Sequence, residues 1–143
     1  MNQPRSSSIG LLGLLLLLVA LSSQQCAVVR LLKPRLPAPH RVEGGVIFQF
    51  YAPSARFVNV AGDFNRWCGT ADGPFDPRIG RMYDDGTHGD RVAGDGIWTV
   101  ILDLRPGVYQ YKYVVDGTAW YLDPSNPETV QSGPYTNSLL RVP

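Results

Sequence analysis

Gly107-Val-Tyr-Gln-Tyr-Lys-Tyr-Val-Val-Asp-Gly117 is the stretch that decides the fold. Its interior, residues 108–115, is mostly β-branched and aromatic, with Arg105-Pro106-Gly107 before it and Asp116-Gly117 after it. Such a run between turn formers is a strand. With side chains alternating on a period of two, Tyr109, Tyr111, Tyr113 and Val115 share one face and Gln110, Lys112 and Val114 the other. The tyrosine face is expected to pack. The opposite face offers the strand's only charge, Lys112, with Trp120 close behind in sequence. A donor beside an indole suits a sugar, whose apolar C–H face lies on the ring while its hydroxyls seek amide or ammonium partners.

The chain on either side reads as more strands. Residues 46–51 form an apolar run ended by Ala52-Pro53, and residues 57–61 follow, interrupted at Gly62-Asp63. Residues 97–104 place Trp98, Val100, Leu102 and Leu104 on one face, which assigns Trp98 to packing. Tyr121-Leu122 is a short extended piece, and residues 139–142 close the sheet. No segment shows a 3.6-residue period, so no helix is expected. Six or so short strands at this spacing indicate an all-β, immunoglobulin-like β-sandwich.

Two blocks carry a family resemblance. Val58-Asn-Val-Ala-Gly-Asp-Phe-Asn-Arg-Trp67 resembles the strand and Gly-x-Phe-Asn-x-Trp of carbohydrate-binding module family 48, the early-set type that binds glycogen in AMP-activated protein kinase β subunits. The tyrosine-rich strand, Trp120, Asp123-Pro124 and Asn137 resemble the end of the same module, and the likeness runs from about Gly45 to Val142. Similar modules stand in front of the catalytic barrel of isoamylases, pullulanases and branching enzymes.

The resemblance implies binding of α-1,4-glucan (glycogen, starch or maltooligosaccharides) with no chemistry of its own. It implies Trp67 and Trp120 as stacking rings, and Lys112 and Asn137 as partners for sugar hydroxyls. Thr118-Ala119 adds one residue before Trp120 relative to the kinase subunits. Three of these residues also have a plainer role: core packing for Trp67, a solvent-facing edge position for Lys112, a turn for Asn137. A structural module that pairs with a partner enzyme or an envelope protein is the alternative function, and an accessory module of a family 13 type glycoside hydrolase is the third.

Catalysis is not expected. Paired-carboxylate glycosidases hold their acids ~5–10 Å apart in a cleft, whereas Asp63, Asp72, Asp76, Asp116 and Asp123 each stand beside Gly, Pro or Phe in turn-like contexts. The barrel that follows this module elsewhere takes ~250 residues, and 143 residues allow one domain. Two histidines, His40 and His88, make no credible triad or zinc set, and no cofactor is expected.

The first residues read as an export signal. Residues 9–21 form a leucine-rich apolar run behind Arg5, too short for the ~20 residues that span a bilayer but suited to a signal-peptide core. Ala20-Leu21-Ser22 permits cleavage after Ser22, giving a signal peptide over 1–22, a linker over 23–43 and the binding domain over 44–143. Lipidation at Cys26 is the rival, although Gln25 is a poor residue to precede it, and an uncleaved anchor comes third. The protein is therefore expected to be exported, with membrane contact only through this leader or a lipid.

Beyond residue 22 there are 12 Lys+Arg against 12 Asp+Glu. Arg30, Lys33, Arg35 and Arg41 cluster among Pro34, Pro37 and Pro39, an extended spacer. The rest leans acidic, which argues against nucleic acid as a partner. Cys26 and Cys68 are the only cysteines, and their pairing is left open. In Tyr83-Asp-Asp-Gly-Thr-His-Gly-Asp-Arg-Val-Ala-Gly-Asp-Gly96, Asp84, Asp85, Asp90 and Asp95 supply hard oxygen ligands. Their spacing does not match an EF-hand loop, and turn geometry is the preferred reading, so no metal is expected.

Overall fold

The structure, a computed structural model, describes residues 32–143; the apolar run 9–21, the expected cleavage site and Cys26 lie outside the described residues. Residues Arg35–Pro143 form one compact unit. It contains β1 (His40–Val42), β2 (Gly45–Tyr51), β3 (Val58–Gly62), β4 (Ile97–Leu102), β5 (Gly107–Val115), β6 (Ala119–Tyr121), β7 (Thr129–Ser132) and β8 (Tyr135–Val142). One antiparallel sheet has the order β1-β2-β4, the other β3-β5-β8-β7, with β6 also paired to β5. Two antiparallel sheets facing one another match the expected immunoglobulin-like sandwich.

The tyrosine-rich strand is the centre of the larger sheet. One edge pairs with β3 over Tyr111 to Val115; the other pairs with β8 over Gly107 to Tyr111 and then with β6 over Tyr113 to Val115. The tyrosine face turns inward as its parity predicts. Tyr111 and Tyr113 are fully buried, with Phe48 edge-on to Tyr111 at 5.4 Å and Phe50 stacked on Tyr113 at 4.5 Å. Val46, Val58, Val60, Met82, Val100, Leu140 and Val142 complete the core between the sheets. Trp98 packs against it, half-buried, and its indole N–H donates to Ala52 O at 3.0 Å.

Four features differ from the expectation. The sheet begins at His40, inside the stretch read as linker: β1 pairs with β2, and Arg41 donates to Pro143 O at 3.0–3.1 Å. Proline spacing signals an extended chain but not whether that chain pairs. A 3-10 turn, Asp63–Asn65, follows β3 where no helix was expected; three residues are too few to leave a period. The closing strand starts at Tyr135 rather than Leu139, paired to an unforeseen β7. The Val114 face is also not open throughout. Ala61, Cys68 and Val114 form a second small core, covered by Trp67, Phe75 and Ile79 from the long connection after β3.

That connection then closes one side of the sandwich. Met82 N donates to Val58 O at 2.9 Å, beside β3, while Tyr83 and Thr99 of β4 exchange backbone hydrogen bonds at 2.8–2.9 Å. Isolated bridges Asn59↔Arg81 and Tyr83↔Thr99 therefore tie a single segment to both sheets.

Candidate functional site

The Gly62-to-Trp67 motif is a turn specified by close packing. A Cβ on Gly62 would lie 2.6 Å from both Gln110 O and the Phe64 ring, so the motif needs glycine there for space. Asn65 staples the turn: its Oδ1 accepts from Gly62 N at 3.0 Å and Cys68 N at 3.2 Å, and its Nδ2 donates to Val60 O at 2.8 Å. Asp63 Oδ2 accepts from Gln110 N at 3.1 Å and ties the turn to β5.

Arg66, Trp67 and Cys68 then run consecutively at φ 55°, in the left-handed region. Non-glycine residues cost about 1–2 kcal/mol each in that region, so the surrounding contacts must hold them. Arg66 forms a bidentate ion pair with Asp72. The buried Cys68 thiol points to Ile79 O at 3.1 Å, and burial, with a smaller contribution from the Asp76 charge, pushes its pKa up to about 12. Held this way, Trp67 both covers the small core and lines a cavity outside it.

The sheet register brings the other expected residues to the same face. Lys112 lies opposite Ala61, and Trp120 lies opposite Val114. The three-residue loop Asp116-Gly117-Thr118 absorbs the extra residue before Trp120, with Thr118 N donating to Val115 O at 3.2 Å. Phe75 meets the Trp120 ring edge-on at 6.4 Å, leaving the indole 38% exposed. Asn137 sits within β8 rather than in a turn and shares the parity of Leu139, which is opposite Gln110.

All four residues line one open cavity of ≈ 700 Å³ together with Thr70, Ala71, Ser132 and Tyr135. This lies within the ~300–1,000 Å³ of small-molecule sites. Among the described residues, the Lys112 ammonium has no carboxylate or hydrogen-bond partner; it stands 5.9 Å from the Tyr135 ring centroid. Asn137 Nδ2 donates to Gln110 Oε1 at 2.9 Å, and its Oδ1 has no partner among the described residues. The lining thus combines three aromatic rings, one unpaired cation and one amide oxygen, with no carboxyl among its described residues. Such a set fits a neutral polyhydroxylated ligand. Tyr135 is not among the residues expected from the sequence; within β8 it shares the parity of Asn137 across Thr136.

The aspartate loop is elsewhere. Carboxyl oxygens of Asp84, Asp90 and Asp95 lie within 4.8 Å of one another, while Asp85 is outside the group and accepts from Thr87 N at 3.0 Å and Thr87 Oγ1 at 2.5 Å. Asp84 accepts the N–H groups of Gly94, Asp95 and Gly96 at 2.9–3.1 Å, and Asp90 accepts that of Gly86 at 2.7 Å. Burial raises the Asp84 pKa, and the nearby Asp95 and Asp90 charges raise it further, against the lowering by its backbone donors. Asp84 and Asp90 thus each accept backbone N–H groups from within the loop.

Known proteins resemble parts of this chain. Residues 77–122 match the family model of the conditioned medium factor 2nd Ig-like domain. Protein PTST homolog 2, chloroplastic, of Arabidopsis thaliana is 46% identical over 52 residues, covering 36% of this chain and 9% of that protein. The 1,4-alpha-glucan branching enzyme GlgB of Synechococcus sp. (strain JA-3-3Ab) is 40% identical over 85 residues, covering 57% of this chain and 9% of the enzyme. The corresponding enzyme of Desulfitobacterium hafniense (strain Y51) is 30% identical over 97 residues, covering 67% and 12%. The chain spans about a tenth of the length of the curated relatives it matches. It is partly homologous to these proteins, and the similarity is to a small region of each.

Proposed function

We propose that the folded domain is a non-catalytic module that binds α-1,4-glucan, of the family 48 carbohydrate-binding type. The observation that carries this reading is convergence: Trp67, Lys112, Trp120 and Asn137, from four separate segments, line one cavity. Partial similarity to branching enzymes, whose names state an α-1,4-glucan substrate, supports the same ligand class. Pyranose rings would stack on the indoles while Lys112 and the Asn137 oxygen meet equatorial hydroxyls.

Calorimetric titration of the purified protein with maltoheptaose and β-cyclodextrin tests the proposal. A few stacked rings and two polar groups predict Kd on the order of 10 µM to 1 mM, roughly 4–7 kcal/mol. Trp67→Ala, Trp120→Ala and Lys112→Ala should each abolish or greatly weaken the heat. No heat from the folded wild-type protein up to millimolar glucan overturns the reading and leaves a structural module that pairs with another protein.

The proposal includes export, with cleavage after Ser22 or lipidation at Cys26, as residues 1–26 indicate. Intact-mass measurement after production in a Gram-negative host distinguishes them: a mature start at Ser23, or a diacylglyceryl mass that disappears in Cys26→Ser. An unprocessed soluble chain retaining Met1 refutes both.

A further inference from the structure

We propose that Tyr135 is a third aromatic wall of this cavity and makes the site select curved glucan over short linear chains; the proposal rests on the glucan reading above. Tyr135 opens β8 directly after a two-residue hairpin loop, Gly133-Pro134, and pairs with Ser132 across it. Gly133 has φ 57°, the Gly-first geometry of a type II′ turn, and the proline ring fixes the next φ at about −65°. Gln131 braces the tip: its Nε2 donates to Gly133 O at 2.9 Å, and its Oε1 accepts from Thr136 Oγ1 at 2.8 Å. The hairpin is thus a stiff support for a ring that is 65% exposed yet lines the cavity.

Position across the sheet gives Tyr135 its role. In the order β3-β5-β8-β7, Trp67 follows β3 and Tyr135 lies at the β7–β8 hairpin, with Lys112 on β5 and Asn137 on β8 between them. Trp120 stands beyond the end of β8, on β6. Rings in a common plane would accept a flat, extended chain. Rings on separated segments around a concavity accept a chain that bends, and successive α-1,4 linkages bend a glucan. The Lys112 ammonium, 5.9 Å from the Tyr135 ring centroid, is within reach of a cation–π contact with that wall.

The test titrates wild type, Tyr135→Ala, Tyr135→Phe and Trp120→Ala with β-cyclodextrin and with maltotetraose, after thermal melts establish that each variant is folded. One lost stacking contact predicts a roughly five- to ten-fold weaker β-cyclodextrin affinity for Tyr135→Ala, with maltotetraose changed less than about two-fold and Tyr135→Phe close to wild type. An equal loss for both ligands, no loss for either, or a Tyr135→Phe defect as large as that of Tyr135→Ala overturns the proposal. If Trp120→Ala loses binding while Tyr135→Ala retains β-cyclodextrin, the glucan reading stands and the third wall falls. If wild type binds neither ligand, both fall.

Discussion

The hydroxyl of Tyr111 donates to Oδ2 of Asp123 at 2.7 Å in the interior of the domain. Tyr113 donates to the same oxygen at 3.2 Å, while Oδ1 accepts from Ser125 N at 2.8 Å and Ser125 Oγ at 2.5 Å. Asp123 is 3% exposed, so its carboxylate is stabilised by hydrogen-bond donors in place of water. Burial and the Asp123 charge hold both tyrosines protonated far above their ordinary range. Because Asp123 follows β6 so closely, this network also anchors the segment that carries Trp120. Asp123→Ala leaves two buried O–H donors without an acceptor and should cost about 3 kcal/mol, seen as a lower midpoint in urea unfolding with an unchanged slope.

The three tryptophans should separate by stability. Trp98→Ala removes a half-buried ring packed against the main core along with its hydrogen bond to Ala52 O, at about 3 kcal/mol. Trp120→Ala, at an exposed ring, should cost under about 1 kcal/mol. Trp67→Ala should fall between, about 1–2 kcal/mol, since that ring also covers the small core. Thermal melts of the three variants give the order; a Trp120→Ala defect equal to that of Trp98→Ala would place Trp120 in the core.

Cys68 should be inert in the native protein. Its buried thiol, raised to about 12, stays protonated at neutral pH, so a thiol-disulfide reagent should label it only in denaturant. A raised thiol pKa means that the fold retains a proton which the unfolded chain releases. The associated stability is complete below the ordinary value of 9.0 and is lost as pH rises towards about 12. Wild type should therefore exceed Cys68→Ala by about 1 kcal/mol at pH 7, with the gap narrowing above pH 9.

The aspartate loop should not need a cation. Asp84 closes the loop through three backbone donors, so Asp84→Ala should lower the melting temperature by several degrees, consistent with about 2 kcal/mol for orphaned N–H groups. Neither millimolar calcium nor a chelator should shift the wild-type melt. A calcium-dependent rise of several degrees would assign a metal to Asp84, Asp90 and Asp95.

Much of the arrangement is legible in parity. Alternation along residues 108–115 separates Tyr111 and Tyr113 from Lys112, and pairing carries that division to Trp120 and Asn137. The second core was not legible, because Cys68, Phe75 and Ile79 come from an irregular segment whose apolar residues follow no period. Nor was Tyr135: a single aromatic after Gly-Pro reads as the end of a loop until β7 is known to pair with it. Asp123 was read as part of a turn, although two inward tyrosines on one strand already require a buried acceptor.

The segment around residues 81–83 has a consequence for solubility. β3 and β4 are outer strands of their sheets, and an outer strand with free N–H and C=O groups is a template for pairing with another chain. One short stretch meets both, through Asn59↔Arg81 and Tyr83↔Thr99. The outer strands left are β1, three residues long and preceded by Pro39, β6, three residues long beside β5, and β7, four residues long. A domain whose long strands are already partnered and whose remaining edges are this short gives a second molecule little backbone on which to propagate a sheet.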